Sequence, residues 1–191
     1  MKRLKVINST LLALIILINC YIVVSPFIPG LQYWYKNHFV TKQRAQLSKS
    51  IKQGATYEGP NKLVIPQIFA DQPVLEGPNV YTAVKGVWRL PTSSTPDKGG
   101  NTVLIGHRFL YSSTPSFFYN LDKVHQGNRI GIFWDNKQYL YEVSEVKVVS
   151  PEAIDIEAPT KDSRLTLYTC TPLWTSKSRL VVIAHLVGGK Q

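Results

Sequence analysis

The spacing of apolar positions changes twice along this chain. From Leu11 to Ile28 they run almost unbroken, interrupted by Asn19, Ser25 and Pro26. Counted from Leu4, the run is long enough to cross a hydrocarbon core as a helix, which takes roughly 20 residues. Residues 36–58 are then polar and basic. From about residue 60 the apolar positions come in short β-rich runs separated by Gly, Pro, Asn and Asp. The candidate strands are Lys62–Ile68, Asn101–Gly106, Arg129–Trp134, Gln138–Val149, Arg164–Cys170 and Arg179–Val187. Trp134-Asp135-Asn136-Lys137 reads as a tight hairpin turn. Helical spacing outside the N-terminal arm is confined to Ser116–Val124, where Phe117, Leu121 and Val124 follow Pro115. The pattern predicts an all-β barrel or sandwich with one or two short helices, behind an N-terminal transmembrane helix.

Charge sharpens this division. The net charge is +10, but eight of the 22 Lys/Arg precede residue 54 and all 12 acids follow it. The β-rich part is therefore close to neutral, which argues against a nucleic-acid partner. Three segments are expected: residues 1–30 as basic tip and anchor, 31–59 as basic stalk or linker, and 60–191 as the folded domain. A cleaved signal peptide is the competing reading of the anchor, but Ser25-Pro26-Phe27-Ile28-Pro29 is a poor cleavage site. Lys2, Arg3 and Lys5 would hold the N-terminus in the cytoplasm, leaving a single-pass protein with its domain outside the cell membrane. Tyr33, Trp34 and Tyr35 fall where an interfacial aromatic belt is expected.

Candidate chemistry starts from cysteine. Cys20 lies in the apolar run and Cys170 in the domain, so neither a disulfide framework nor a cysteine-based zinc site can be built. A lone exported thiol points to reactivity that is used. Cys170 closes a strand-like run, Arg179 opens the next, and His107 ends Thr102-Val-Leu-Ile-Gly-His107. Alternation turns Thr166, Tyr168 and Cys170 one way, and Leu165, Leu167 and Thr169 the other. If the runs ending at Cys170 and starting at Arg179 are antiparallel neighbours, these two residues sit side by side, and His107 reaches the same rim if its strand is adjacent. Thiol, imidazole and guanidinium are the parts of a thiol acyl-transfer site. His185, on the face of Arg179, is a weaker candidate imidazole, and His125 reads as a solvated turn residue.

Thr166-Leu-Tyr-Thr-Cys170 with Arg179 nine residues on, preceded by Gly106-His107-Arg108, resembles the signature of the sortases. These are membrane-anchored cysteine transpeptidases of Gram-positive-type bacteria. Leu63-Val-Ile-Pro66 with Pro73-Val74, Ala83-Val-Lys-Gly86-Val-Trp88 and Gly100–Arg108 extend the likeness over about residues 61–187. The resemblance implies an eight-stranded β-barrel and a division of labour. Cys170 would attack an LPXTG-like sorting-signal peptide to form a thioester. His107 would serve as general acid, then as base toward an amine acceptor such as a peptidoglycan precursor, and Arg179 would stabilise the oxyanion. Thr169 would touch substrate or brace the site, and Arg108 would touch substrate or pair with an acid. The expected cofactor set is empty.

Some sortases bind calcium through acidic loops, for which Asp97, Glu152, Asp155, Glu157 and Asp162 are the weak candidates here. Pilin-polymerising members often carry an Asp-Pro-aromatic lid and sometimes a second span. Residues 40–60 contain no Asp-Pro, and the sequence closes on Gly188-Gly-Lys-Gln191 without an apolar tail. Both departures favour a single-span, unlidded, housekeeping-like enzyme that attaches proteins to the cell wall. The alternatives are a pilus-assembling sortase, a hydrolytic cysteine protease, or a non-enzymatic surface β-domain.

Overall fold

The computed structural model describes residues 2–52, 57–109 and 116–189. Its strands are β1 (Lys62–Ile65), β2 (Ala70–Leu75), β3 (Val87–Arg89), β4 (Asn101–Ile105), β5 (Arg129–Trp134), β6 (Lys137–Val149), β7 (Arg164–Thr171) and β8 (Ser178–Gly189). They close into a barrel in the order β1-β2-β3-β4-β7-β8-β6-β5, with β1 pairing back onto β5. Most pairings are antiparallel, but β2–β3 and β4–β7 are parallel. Closure removes the sheet edges, and alternate side chains of each strand fill the interior. Leu63, Leu104, Ile130, Ile132, Tyr139, Tyr141, Leu165, Leu167 and Val182 form that core.

Two expected elements differ in detail. The Lys62–Ile68 strand stops at Ile65, because Pro66 has no N–H for the ladder and instead opens a 3-10 turn. The Ser116–Val124 segment is a series of turns with one 3-10 turn at Leu121–Lys123 rather than an α-helix. Its apolar residues still serve the core: Phe118, Leu121 and Val124 are fully buried and plug the barrel. The hairpin turn is as expected, with Asp135 and Asn136 at φ of 48° and 60°, the left-handed pair a two-residue hairpin loop requires.

The N-terminal arm is helical: α1 (Lys2–Val24), a 3-10 turn at Ser25–Phe27, α2 (Ile28–Phe39) and α3 (Thr41–Ser50). The side chains of α1 are exposed, and the helix is long and apolar enough to cross a membrane. The segment read as a stalk is strapped to the barrel. Arg44 donates to the Gln67 carbonyl at 3.0 Å and to Asn37 Oδ1 at 2.6 Å, and its guanidinium lies 4.7 Å from the Phe69 ring centroid. Ile51, only 4% exposed, sits on Gly131, where an added Cβ would come within 2.4 Å of its Cγ2. Val64, Phe133 and Leu140 complete that cluster on the outer face of the sheet. Ile51→Ala should therefore cost about 2–4 kcal/mol. Thermal unfolding of the detergent-solubilised chain checks this; an unchanged midpoint would make the strap a passive contact.

Candidate active site

Strand register brings the three predicted residues to one place. Cys170 pairs directly with Arg179 across β7 and β8. On the other flank of β7, Ile105 of β4 pairs with Tyr168 in parallel, so His107 and Cys170 each lie two residues further along. All three belong to the outward-facing set. Leu104, Leu165, Leu167, Leu180 and Val182 point into the barrel, while Tyr168, Val181 and Ile183 pack together outside it. Cys170, His107 and Arg179 continue that outer set at the barrel rim, each partly exposed.

Thr169 locks the rim. It is 1% exposed, and its hydroxyl donates to the Gly106 carbonyl at 2.7 Å, tying the end of β4 to β7. The Gly106 N–H adds a 3.3 Å bond to the Tyr168 carbonyl. A Cβ on Gly106 would meet Phe118 Cδ2 at 2.7 Å, so the residue before His107 must be glycine for the chain to pass the plug. Arg108 pairs with Asp122 at 3.4 Å and donates to the Thr171 hydroxyl. The pairing with an acid is one of its two expected roles. Its guanidinium thus links the histidine strand, the plug and the residue after Cys170.

Arg179 Nη1 donates to the carbonyls of Ser176 at 3.1 Å and Ser178 at 3.2 Å. Both partners are backbone carbonyls, and the nearby carboxylate of Glu152 interacts with the guanidinium only through its charge. Both of these bonds use Nη1, and a guanidinium carries further N–H donors on Nε and Nη2. Burial lowers the His107 pKa below its ordinary value, favouring the neutral ring. The folded state therefore binds its proton less well than the unfolded chain. This stabilisation is present above the unfolded pKa near ~6.5 and is lost as pH falls through the folded value. An NMR titration of the His107 ring should give a midpoint below that of a model imidazole; a midpoint above it would mean an unseen anionic neighbour dominates.

The other candidates fall elsewhere. His185 pairs with Arg164 at the opposite end of β7 and binds Asp162 at 2.8 Å, so it is not part of the rim. Glu152 stands near Arg179, bonded to the Ser150 hydroxyl, which together with its own N–H and the Arg179 charge keeps it below the usual carboxylate range. Glu157 accepts from the Tyr168 hydroxyl at 2.6 Å, and Asp155 lies in the 3-10 turn Ile154–Glu157. Asp97 instead acts electrostatically on Tyr139, toward the far end of the barrel. Asp97 and Glu152 thus belong to opposite ends. No group of three or more His, Cys, Asp or Glu able to hold a metal occurs among the described residues.

Two contributors escape sequence reasoning. Asn101 accepts from the Thr166 hydroxyl at 2.8 Å and donates to the carbonyls of Ile156 and Ala158, pinning the β6–β7 crossover against the β4–β7 seam. A strand-opening Asn carries no signal for that. Trp174 in the β7–β8 loop meets Phe109, with ring centroids 5.9 Å apart, and Phe27 at 6.2 Å. Its place in the Thr-Cys-Thr-Pro-Leu-Trp run is the one available hint.

A family model described as the sortase domain matches residues 63–187. The chain belongs to the sortase family. This sortase is 23% identical over 206 residues to Sortase A of Listeria monocytogenes, a match covering 94% of this chain and 91% of that one. Among solved structures, a lid mutant of Sortase A from Corynebacterium diphtheriae superposes with a TM-score of 0.61 at 28% identity, covering 76% of this chain and 90% of that one. Sortase C-1 from Actinomyces oris gives the same TM-score at 26% identity, covering 78% and 98%. Members labelled A and C are thus equally similar in fold to this sortase, whose family consists of membrane-associated transpeptidases.

Proposed function

We propose that this sortase uses Cys170 as nucleophile, His107 as proton carrier and Arg179 as oxyanion partner, to join a sorting-signal peptide to an amine. The supporting observation is the register that sets Arg179 on one side of Cys170 and His107 on the other. Proton transfer from the Cys170 thiol to the neutral His107 ring generates thiolate and imidazolium together. The thiolate attacks the peptide carbonyl, and its oxygen, now anionic, faces the Arg179 fork. Collapse breaks the C–N bond as His107 gives its proton to the departing amine. A thioester on Cys170 remains. An incoming amine attacks it, His107 takes the surplus proton, and the C–S bond breaks to return the thiolate. Thr169 acts as the brace that holds His107 level with Cys170, and Arg108 as the tie between plug and rim.

The substrate class is an LPXTG-like signal on surface proteins, and the acceptor is a peptidoglycan-precursor amine. Cell-wall attachment is favoured over pilin polymerisation by the lack of Asp-Pro in residues 40–60. The cationic tip Lys2, Arg3 and Lys5 supports a cytoplasmic N-terminus with the barrel outside. Product analysis with and without an amine nucleophile tests the reaction type. Amide product should rise with acceptor concentration at the expense of free acid; acid alone at every concentration would make the chain a protease.

A further inference from the structure

The first barrel residues that the chain meets on leaving α1 are those of the catalytic rim. Three residues past Val24, Phe27 packs on Trp174 of the β7–β8 loop, and the Tyr119 hydroxyl donates to the Pro26 carbonyl at 2.8 Å. Pro26 is buried. One turn later Gly30 lies against the Tyr119 ring, and Tyr33 meets Phe69 with centroids 6.1 Å apart. Further on, Asn37 binds Arg44. Pro26, Gly30, Tyr33 and Asn37 follow helical spacing and make one face, and that face holds the barrel.

The remaining surface of this helix is unlike an ordinary water-facing one. Phe27, Ile28, Leu31, Trp34, Tyr35 and Phe39 occupy a continuous apolar arc, each between 40% and 66% exposed. A helix with one face on protein and another this apolar needs a second apolar environment. Its covalent neighbour supplies one. The 23 residues of α1 rise about 34 Å, close to the thickness of a bilayer core, so α2 begins in the headgroup layer. Trp34 and Tyr35 combine apolar rings with polar tips, as side chains of that layer do.

We propose that the apolar arc of α2 rests in the lipid interface, and that α2 thereby holds the barrel with its catalytic rim toward the bilayer. The partner of this surface is the lipid itself. Trp174, 55% exposed beside Phe27, reaches the same layer from the rim loop. Lys161, just before β7, marks the opposite end of the barrel, since β7 runs from Arg164 to Thr171. That strand alone separates the two ends by about 20 Å. The cleavage point of a bound peptide would then lie against the membrane surface rather than out in the wall.

The inference rests on α1 being a membrane anchor and on Cys170 marking the working end, but its test does not need turnover. The full chain, as Cys20→Ala with Cys170→Ser, is placed in bilayer nanodiscs. A fluorophore is attached at Thr175→Cys in the exposed rim loop or at Lys161→Cys at the far end. Lipids with a headgroup-level nitroxide quencher should dim the Thr175 probe several-fold more than the Lys161 probe. Equal quenching, or stronger quenching at Lys161, overturns the orientation whatever the catalytic residues prove to be. A second variant, Leu31→Glu with Tyr35→Glu, should still co-float with liposomes through α1 yet lose the Thr175 quenching. Quenching that survives would mean that α2 is not the clamp, and failure of the parent chain to co-float would remove the anchor on which the inference stands.

Discussion

Cys170→Ala is expected to abolish turnover completely, while Cys20→Ala should keep near-parental rates. Only these two thiols exist, and Cys20 lies exposed in α1, outside the strands that bring Cys170, His107 and Arg179 together. The attacking species in the proposed reaction is a thiolate, which no neighbouring side chain of the rim can replace. Serine at position 170 should be nearly as dead as alanine, because a hydroxyl paired with a neutral imidazole is far less readily ionised. Intact-mass spectrometry of the parental enzyme mixed with peptide should reveal an acyl adduct that maps to Cys170 and names the peptide half retained. Turnover by Cys170→Ala, or an adduct on another residue, would end the proposed mechanism.

Arg179→Lys should lose on the order of 10²–10³ in kcat, although the charge is conserved. The arginine is held through Nη1 by the carbonyls of Ser176 in the loop and Ser178 at the start of β8. A lysine ammonium cannot bond the loop and present a planar fork together. The deficit should fall on kcat more than on KM, since the carbonyl oxygen becomes fully anionic only in the transition state. Steady-state kinetics of the purified variant decide it. A KM effect alone would make Arg179 a ground-state binding residue, and unchanged kinetics would leave it a strand residue.

The strands that carry the candidate site were legible in the sequence because each is an apolar run rich in Val, Ile, Leu and Thr. β4, β7 and β8 lie within a residue or two of their expected bounds. β2 and β3 were not legible as runs. β2 carries Asp71, Gln72 and Pro73, and β3 is three residues long, so neither offers a periodic signal. Their presence follows from the resemblance, not from their pattern. Alternation assigned Cys170 and Thr169 to opposite faces correctly, because period two survives wherever one face is core. Which strands become neighbours is another matter. The parallel pairing of β4 with β7 spans an intervening hairpin, and no local pattern reports it. The docking of α2 and α3 was equally silent, since Ile51 fits only because Gly131 lacks a side chain on a distant strand.

That same β4–β7 seam bears on the order in which the enzyme acquires its chemistry. Asn101 finds Arg164 and Ile105 finds Tyr168, contacts between segments that are 63 residues apart. Closing so long a loop is slow relative to forming the β5–β6 hairpin it encloses. A chain that emerges N-terminus first can thus fold its hairpin while His107 and Cys170 remain strangers. The thiol in that interval lacks His107, the proton carrier of the proposed mechanism, while Arg179 comes to it with the local β7–β8 hairpin. In the proposed mechanism, reactivity is switched on by topology, at the moment β4 closes on β7.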